Sequence, residues 1–181
     1  AGQNAKLIFL GDMIDRGIHD VEVVTSLWQY MYEKPGRYGW LVGNHDEGLH
    51  WSRADGMFWS SVNPATFQDW LNQNINHKAI KVYRFGRLFI ELVERLPRAL
   101  FLPGLLAAHG GFPHRDTWSD IKSFSDLESQ RCLGDFVWNR WTHSKLKRPN
   151  RSSSASTFGA EDFQGFRDVC KRLGHPIEGM V

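Results

Sequence analysis

Cysteine is scarce in the 181-residue sequence: Cys132 and Cys170 are the only two. Two thiols cannot build a disulfide framework and fit a reducing compartment, so a cytoplasmic setting is expected. No run of apolar residues is long enough for a membrane-spanning helix, which predicts no membrane partner. No charged-then-apolar signal opens the chain. Charge of one sign is not in excess either: 22 Lys and Arg stand against 20 Asp and Glu, a net of +2. So close a balance argues against non-specific nucleic-acid binding. Apolar residues at 41% and charged residues at 23% exclude wholesale disorder. Aromatic residues, by contrast, are plentiful, with eight Trp and twelve Phe. The length suits one domain with an ample core, and no repeat or second-domain boundary interrupts 1–181.

Lys6–Leu10 is a short apolar run closed by Gly11-Asp12 and reads as a buried strand. Over Asp20–Lys34, the residues Val21, Val24, Leu27, Trp28 and Met31 recur at helical spacing until Pro35-Gly36 stops them. Tyr38–Val42 is a second apolar run, ending in Gly43-Asn44. Strand, helix and strand in such close succession predict a βαβ unit with a parallel sheet. The next stretch reads as helical. Asn63-Pro64 serves as cap and first position of a helix reaching Asn74, and a second helix runs over His77–Leu96. Trp51, Phe58, Trp59, Phe67 and Trp70 are expected to pack these helices together. Ala99–Leu102 and Leu105–Ala108, parted by Pro103-Gly104, predict an antiparallel hairpin. Ser125-Asp126-Leu127-Glu128 matches a capping box opening a short helix. Asn139–Thr157 reads as a long surface loop, with Arg140, Lys145, Lys147, Arg148 and Arg151, no acidic residue, and then Ser152-Ser153-Ser154. Glu161–Leu173 is the last helix, stopped by Gly174 and Pro176.

Three of the apolar runs end in polar clusters: Gly11-Asp12-Met13-Ile14-Asp15-Arg16-Gly17, Gly43-Asn44-His45-Asp46 and His109-Gly110-Gly111. Ligands collect beyond the carboxyl ends of strands in open α/β sheets, so the clusters are expected to converge. Carboxylate, amide oxygen and imidazole suit a divalent metal, glycine lets backbone turn tightly beside a ligand, and Arg16 suits bidentate phosphate binding. Taken singly, each has a plain structural explanation: a salt-bridged turn, a helix cap with a nearby charge, a satisfied turn histidine. All three in this order point to a metal-phosphate site.

The three clusters together resemble the central motifs of calcineurin-like metallophosphoesterases. The Asp-Arg-Gly form and the later Thr157-Phe158-Gly159 resemble the phosphoprotein phosphatase branch. The resemblance implies an α/β fold, a four-layer α/β/β/α sandwich with two divalent metal ions at its strand ends, Mn²⁺, Fe or Zn²⁺. It implies that Asp12 bridges both metals and that Asn44 and His109 bind the second. His45 would be the general acid, Asp15 would orient it, and Arg16 would hold the phosphate together with Asn44 and a second arginine, Arg151, with Arg148 in reserve. Asp46 stands where eukaryotic-type protein phosphatases usually have Glu, which leans toward bacterial-type relatives. The implied reaction is hydrolysis of phosphoserine and phosphothreonine in proteins, or of a phosphorylated small molecule. Two cations neutralise the dianionic phosphate and acidify a shared water, the hydroxide attacks in line, and His45 protonates the leaving oxygen. A related activity cleaves dinucleoside polyphosphates, though those relatives often have Asn in place of Asp15. The third alternative is a non-catalytic scaffold of the same fold.

Two further family elements have no counterpart. An Asp-x-His motif upstream of the strand at 6–10 is missing, as is a His-containing motif just past the strand expected near Gly179-Met180-Val181. His175, beside Pro176, does not substitute. The chain opens Ala1-Gly2-Gln3 and is expected to be cut from a longer protein at both ends, with weak activity at best on its own.

Overall fold

The apolar run after Lys6 forms strand β1 (Leu7–Phe9). It is followed by helix α1 (Asp20–Glu33), whose first turn carries Asp20 and Glu22 against the positive end of the helix dipole. Strand β2 (Tyr38–Trp40) then lies parallel to β1, with Leu7 opposite Tyr38 and Phe9 opposite Trp40. The predicted βαβ unit is present. Val24 and Leu27 form the buried stripe of α1. The chain, seen in a computed structural model, is described for residues 5–78, 81–143, 148–149 and 156–181. It divides into two compact units, Ala1–Pro97 and Arg98–Val181.

In the first unit, a short helix α2 (Asn44–Gly48) follows β2 directly. The next segment departs from the helical expectation. Strands β3 (Leu49–Ser52) and β4 (Met57–Ser60) pair antiparallel, with Trp51 opposite Phe58. The reason is local. Gly56 adopts φ 64°, the left-handed geometry a tight hairpin turn needs, and the Ser52 hydroxyl donates to Asp55. Trp51, Phe58 and Trp59 therefore lie on a hairpin. Phe58 is buried and meets Trp51 edge-on, while Trp59 is half exposed and packs against His50 at a tilt. Helix α3 (Thr66–Asn74) starts later than Asn63-Pro64 suggested, with Ala65 at its N-cap and no side-chain cap bond. Helix α4 (Val82–Arg95) likewise begins after His77. Phe67, Phe89 and Trp40 bring α3, α4 and β2 together in one aromatic core.

The second unit opens on the predicted hairpin of β5 (Ala99–Leu102) and β6 (Gly104–Ala108), with Gly104 at φ 74° making the turn. The following 3₁₀ turn over Phe124–Glu128 is capped by Ser123 and Asp126, two residues before the expected Ser125 box. Helix α5 (Gln130–Trp138) comes next. Where a surface loop was expected, the described residues form a small sheet. Its strands are β7 (Arg140–Trp141), β8 (Arg148–Pro149) and β9 (Ser156–Phe158), with β9 central, parallel to β7 and antiparallel to β8. Helix α6 (Ala160–Arg172) and strand β10 (Ile177–Met180) complete the unit, with β10 parallel to β6. Leu106, Phe112, Phe136, Phe158 and Phe166 fill its core. The architecture is mixed α/β.

Candidate active site

Because β1 and β2 run parallel, their carboxyl ends carry the Gly11–Gly17 and Gly43–Asp46 segments to the same edge of the sheet. The two backbones touch there. A Cβ on Gly11 would overlap the Gly43 backbone, and one on Gly43 would overlap Asp12. Asp12, Asp15 and Arg16 adopt φ of 55°, 69° and 61°. Left-handed backbone at three non-glycine residues costs on the order of 1 kcal/mol each and persists only where surrounding bonds enforce it.

Asp46 supplies that enforcement at Asp12. It is 1% exposed. Its Oδ2 accepts the amides of Asp12 and Gly43, each at 2.9 Å, and its Oδ1 accepts the amide of Met13 at 2.9 Å. The Trp40 indole adds Nε1–H at 3.3 Å. Burial pushes the Asp46 carboxyl up to about 6, against the hydrogen bonds from Gly43 and Met13 that favour its charged form. The sequence placed Asp46 in the second polar cluster and as a variant of the family Glu, without seeing which amides it binds. Its place three residues after Gly43, at the third position of a helix, is the signal that a carboxylate reaches back to cap that helix.

Asp12 faces the other way. Its Oδ1 accepts the His45 amide at 3.0 Å, and its Oδ2 lies 3.4 Å from Arg16 Nη1. Arg16 also places Nη2 at 2.8 Å from His45 Nε2. A guanidinium only donates, so Nε2 is an acceptor here. The imidazole proton then sits on Nδ1 and is donated to Asp15 Oδ2 at 2.7 Å. The His45 and Asp15 side chains are 1% and 2% exposed, whereas Arg16 is 61% exposed. Asp15 Oδ1 in turn accepts the Phe67 amide at 2.9 Å. Nearby Asp20 has its carboxyl raised, first by burial and then by the charge of Asp15.

Asp12, Asp15, Arg16, Asn44 and His45 thus meet in the first unit. Asn44 is the first residue of α2 and nearly buried. His109 belongs to the second unit, where it follows β6. The next two residues are clamped: the Gly110 and Gly111 amides both donate to the Phe136 carbonyl, and a Cβ on Gly110 would overlap the Val137 carbonyl. His109 lines a cavity of about 420 Å³ with Trp141, Phe158 and Phe163. Arg151 lies outside the described residues, and Arg148 is placed only by its backbone in β8.

Oxygen donors from Asp12 and Asn44 have the chemistry that hard divalent cations prefer, and Asp12 is held at the mouth of the site rather than in the core. Among the described residues, no group of three or more His, Cys, Asp or Glu is gathered to hold a metal ion. The donor types of Asp12 and Asn44 suit a divalent cation.

A family model described as calcineurin-like phosphoesterase matches residues 1–175. Over 180 residues the chain is 26% identical to a serine/threonine-protein phosphatase of Caenorhabditis elegans, covering 94% of this chain and 35% of that protein. Over 119 residues it is 29% identical to an asymmetrical bis(5′-nucleosyl)-tetraphosphatase of Oceanobacillus iheyensis, covering 61% of this chain and 43% of that protein. Among solved structures it is similar to a Saccharomyces cerevisiae protein serine/threonine phosphatase described as similar to human PP5. The TM-score is 0.62 at 18% identity, over 95% of this chain and 48% of that one. That last likeness shows a shared fold. The chain spans less than half the length of each of these relatives.

Proposed function

The chain belongs to the calcineurin-like phosphoesterase family, and we propose that it is a metal-dependent phosphomonoesterase acting on phosphoserine and phosphothreonine in cytoplasmic proteins. The family match runs through both units, which supports reading them as parts of one phosphoesterase domain. The observation that carries the reading is the buried Asp15–His45 pair with Arg16 on the free imidazole nitrogen. A structural histidine needs no exposed guanidinium on its outer face.

Asp12 and Asn44 would hold two divalent metal ions (Mn²⁺, Fe or Zn²⁺), with His109 as the imidazole donor the resemblance assigns; such ions neutralise phosphate charge and activate water. Arg16 offers a planar fork suited to two phosphate oxygens, and its exposure leaves it free to turn toward them. Once it does, His45 Nε2 is released and can hold the proton that the leaving alkoxide requires. Asp15 keeps the ring oriented and stabilises its charged form from the Nδ1 side. Arg151 is the second phosphate arginine in this proposal.

Similarity to the tetraphosphatase supports a second reading, hydrolysis of dinucleoside polyphosphates. Turnover of an aryl phosphate with added Mn²⁺ tests the class, comparing the chain and longer forms of it with Asp12→Asn and His45→Asn variants. Loss of turnover in both variants is expected; no turnover from any form would refute the proposal. Side-by-side rates on a phosphopeptide and diadenosine tetraphosphate separate the two readings, and preference for the nucleotide would overturn the first.

A further inference from the structure

We propose that Thr66 and Asp20 are positioning residues: they clamp Asp15 to the first turns of two helices and so fix the ring of His45. This rests on the phosphatase reading for its catalytic meaning. The geometry stands independently of it.

Asp15 divides its carboxylate between two tasks. Oδ2 receives the His45 Nδ1 proton at 2.7 Å. Oδ1 receives the Phe67 amide at 2.9 Å and lies 3.4 Å from the Thr66 hydroxyl. Thr66 and Phe67 are the first two residues of α3, a helix whose own N-cap, Ala65, provides no side-chain bond. The opening amides of a helix have no partner within it. Asp15 supplies one from a distant part of the chain, with its negative charge at the positive end of the helix dipole. Hence α3 gains its cap and Asp15 gains a rigid seat in the same contact.

Thr66 does more than add a second bond. Its hydroxyl also lies 3.4 Å from Asp20 Oδ2. Asp20 is the first residue of α1, and the Asp15 backbone amide favours its ionised carboxylate. Asp15 is therefore held at both ends, by Asp20 on its left-handed backbone and by α3 on its carboxylate, with Thr66 joining the two holders. One hydroxyl carries one proton, so Thr66 donates to either carboxylate at a given moment. The Asp15 and His45 side chains are 2% and 1% exposed, whereas Thr66 reaches them from the exposed start of α3. Removing the hydroxyl leaves Oδ1 on the Phe67 amide alone and lets the carboxylate swing about it.

The test uses Thr66→Val, which keeps the shape and removes the donor, Thr66→Ser, which keeps the donor, and Asp20→Ala. The primary readout is the His45 Nδ1–H resonance in metal-free, ¹⁵N-histidine-labelled protein, assigned by its loss in His45→Asn. Thr66→Val and Asp20→Ala are expected to shift or broaden it, and Thr66→Ser to restore it. Steady-state kinetics on an aryl phosphate should show kcat lowered about 2- to 10-fold in Thr66→Val, with KM within about twofold of the parent, as expected for one modest hydrogen bond acting through His45. A resonance unchanged in Thr66→Val, or Thr66→Ser behaving like Val, overturns the proposal. Should near-UV circular dichroism show that Val disturbs folding, Thr66→Ala is judged by the same criteria. If neither the parent nor any longer form shows turnover, the phosphatase reading fails while the resonance still decides the clamp.

Discussion

Replacing Gly86 by alanine sets helix propensity against packing, and the structure decides between them. Gly86 lies inside α4, where alanine is favoured over glycine by about 1 kcal/mol. A Cβ there would stand 2.5 Å from Phe58 Cζ, 2.7 Å from Phe58 Cε1 and 3.2 Å from Leu71 Cδ1. Phe58 cannot withdraw easily. Its amide donates to Asn72 Oδ1 at 2.9 Å, its carbonyl accepts from Asn72 Nδ2 at 2.8 Å, and its ring packs edge-on to Trp51. Overlap approaching 1 Å with an anchored, buried ring belongs at the upper end of the overpacking range, about 3 kcal/mol. Propensity recovers about 1, so the net expectation is a loss of about 2 kcal/mol. For a chain of this size that lowers Tm by about 4–8 °C. Thermal unfolding followed by circular dichroism measures it directly. Adding Phe58→Leu should make Gly86→Ala less harmful than it is alone, because the shorter side chain removes the overlap. A Gly86→Ala Tm equal to or above that of the parent would refute the reasoning.

Gly43→Ala should lower both Tm and turnover, since its Cβ collides with Asp12 where the two motif segments touch; a variant with parental Tm and activity counts against that contact. Arg16→Ala should lower kcat/KM on an aryl phosphate by about 10²-fold, the scale for one charge-stabilising donor. Because Arg16 is largely exposed, its Tm should stay within about 2 °C of the parent; an equal loss of stability would make Arg16 structural. Burial raises the Cys132 thiol and pushes Cys170 up to about 12. Native protein at pH 8 should therefore resist a thiol reagent that labels both cysteines in denaturant. The raised folded values also mean that the stability these thiols contribute is full below about pH 8.5 and is lost as pH rises toward 12. Fast labelling of the native chain, or stability rising over that range, would contradict their burial.

How much of this was legible follows from the kind of signal each element carries. The βαβ unit was, because α1 repeats its apolar residues at helical spacing and both flanking strands are apolar runs ending in glycine. The β3–β4 hairpin was not: LHWS and MFWS lack β-branched residues, and the aromatics suited helix packing equally well. Asp55-Gly56 was the one local hairpin cue. Pro64 misled by resembling a first helical residue, when α3 draws its first partners from Asp15. The polar segments were visible as types in order, but the bonds among them were not. Nothing in the spacing of Asp20 and Thr66 says that both reach Asp15, because contacts between residues so far apart depend on the tertiary fold.

The knot at Asp46 has a consequence for how the molecule assembles. The Asp46 carboxylate, which also takes the nearby Gly43 amide, reaches across α1 to the amides of Asp12 and Met13, 34 and 33 residues away in the chain. Those bonds can form only after that long loop has closed and β1 has found β2. The Asp46 contacts therefore depend on the same loop closure as the β1–β2 pairing. On heating, parting of the two strands should dismantle the Asp12–Arg16–His45 arrangement with them, so that melting and inactivation trace one curve.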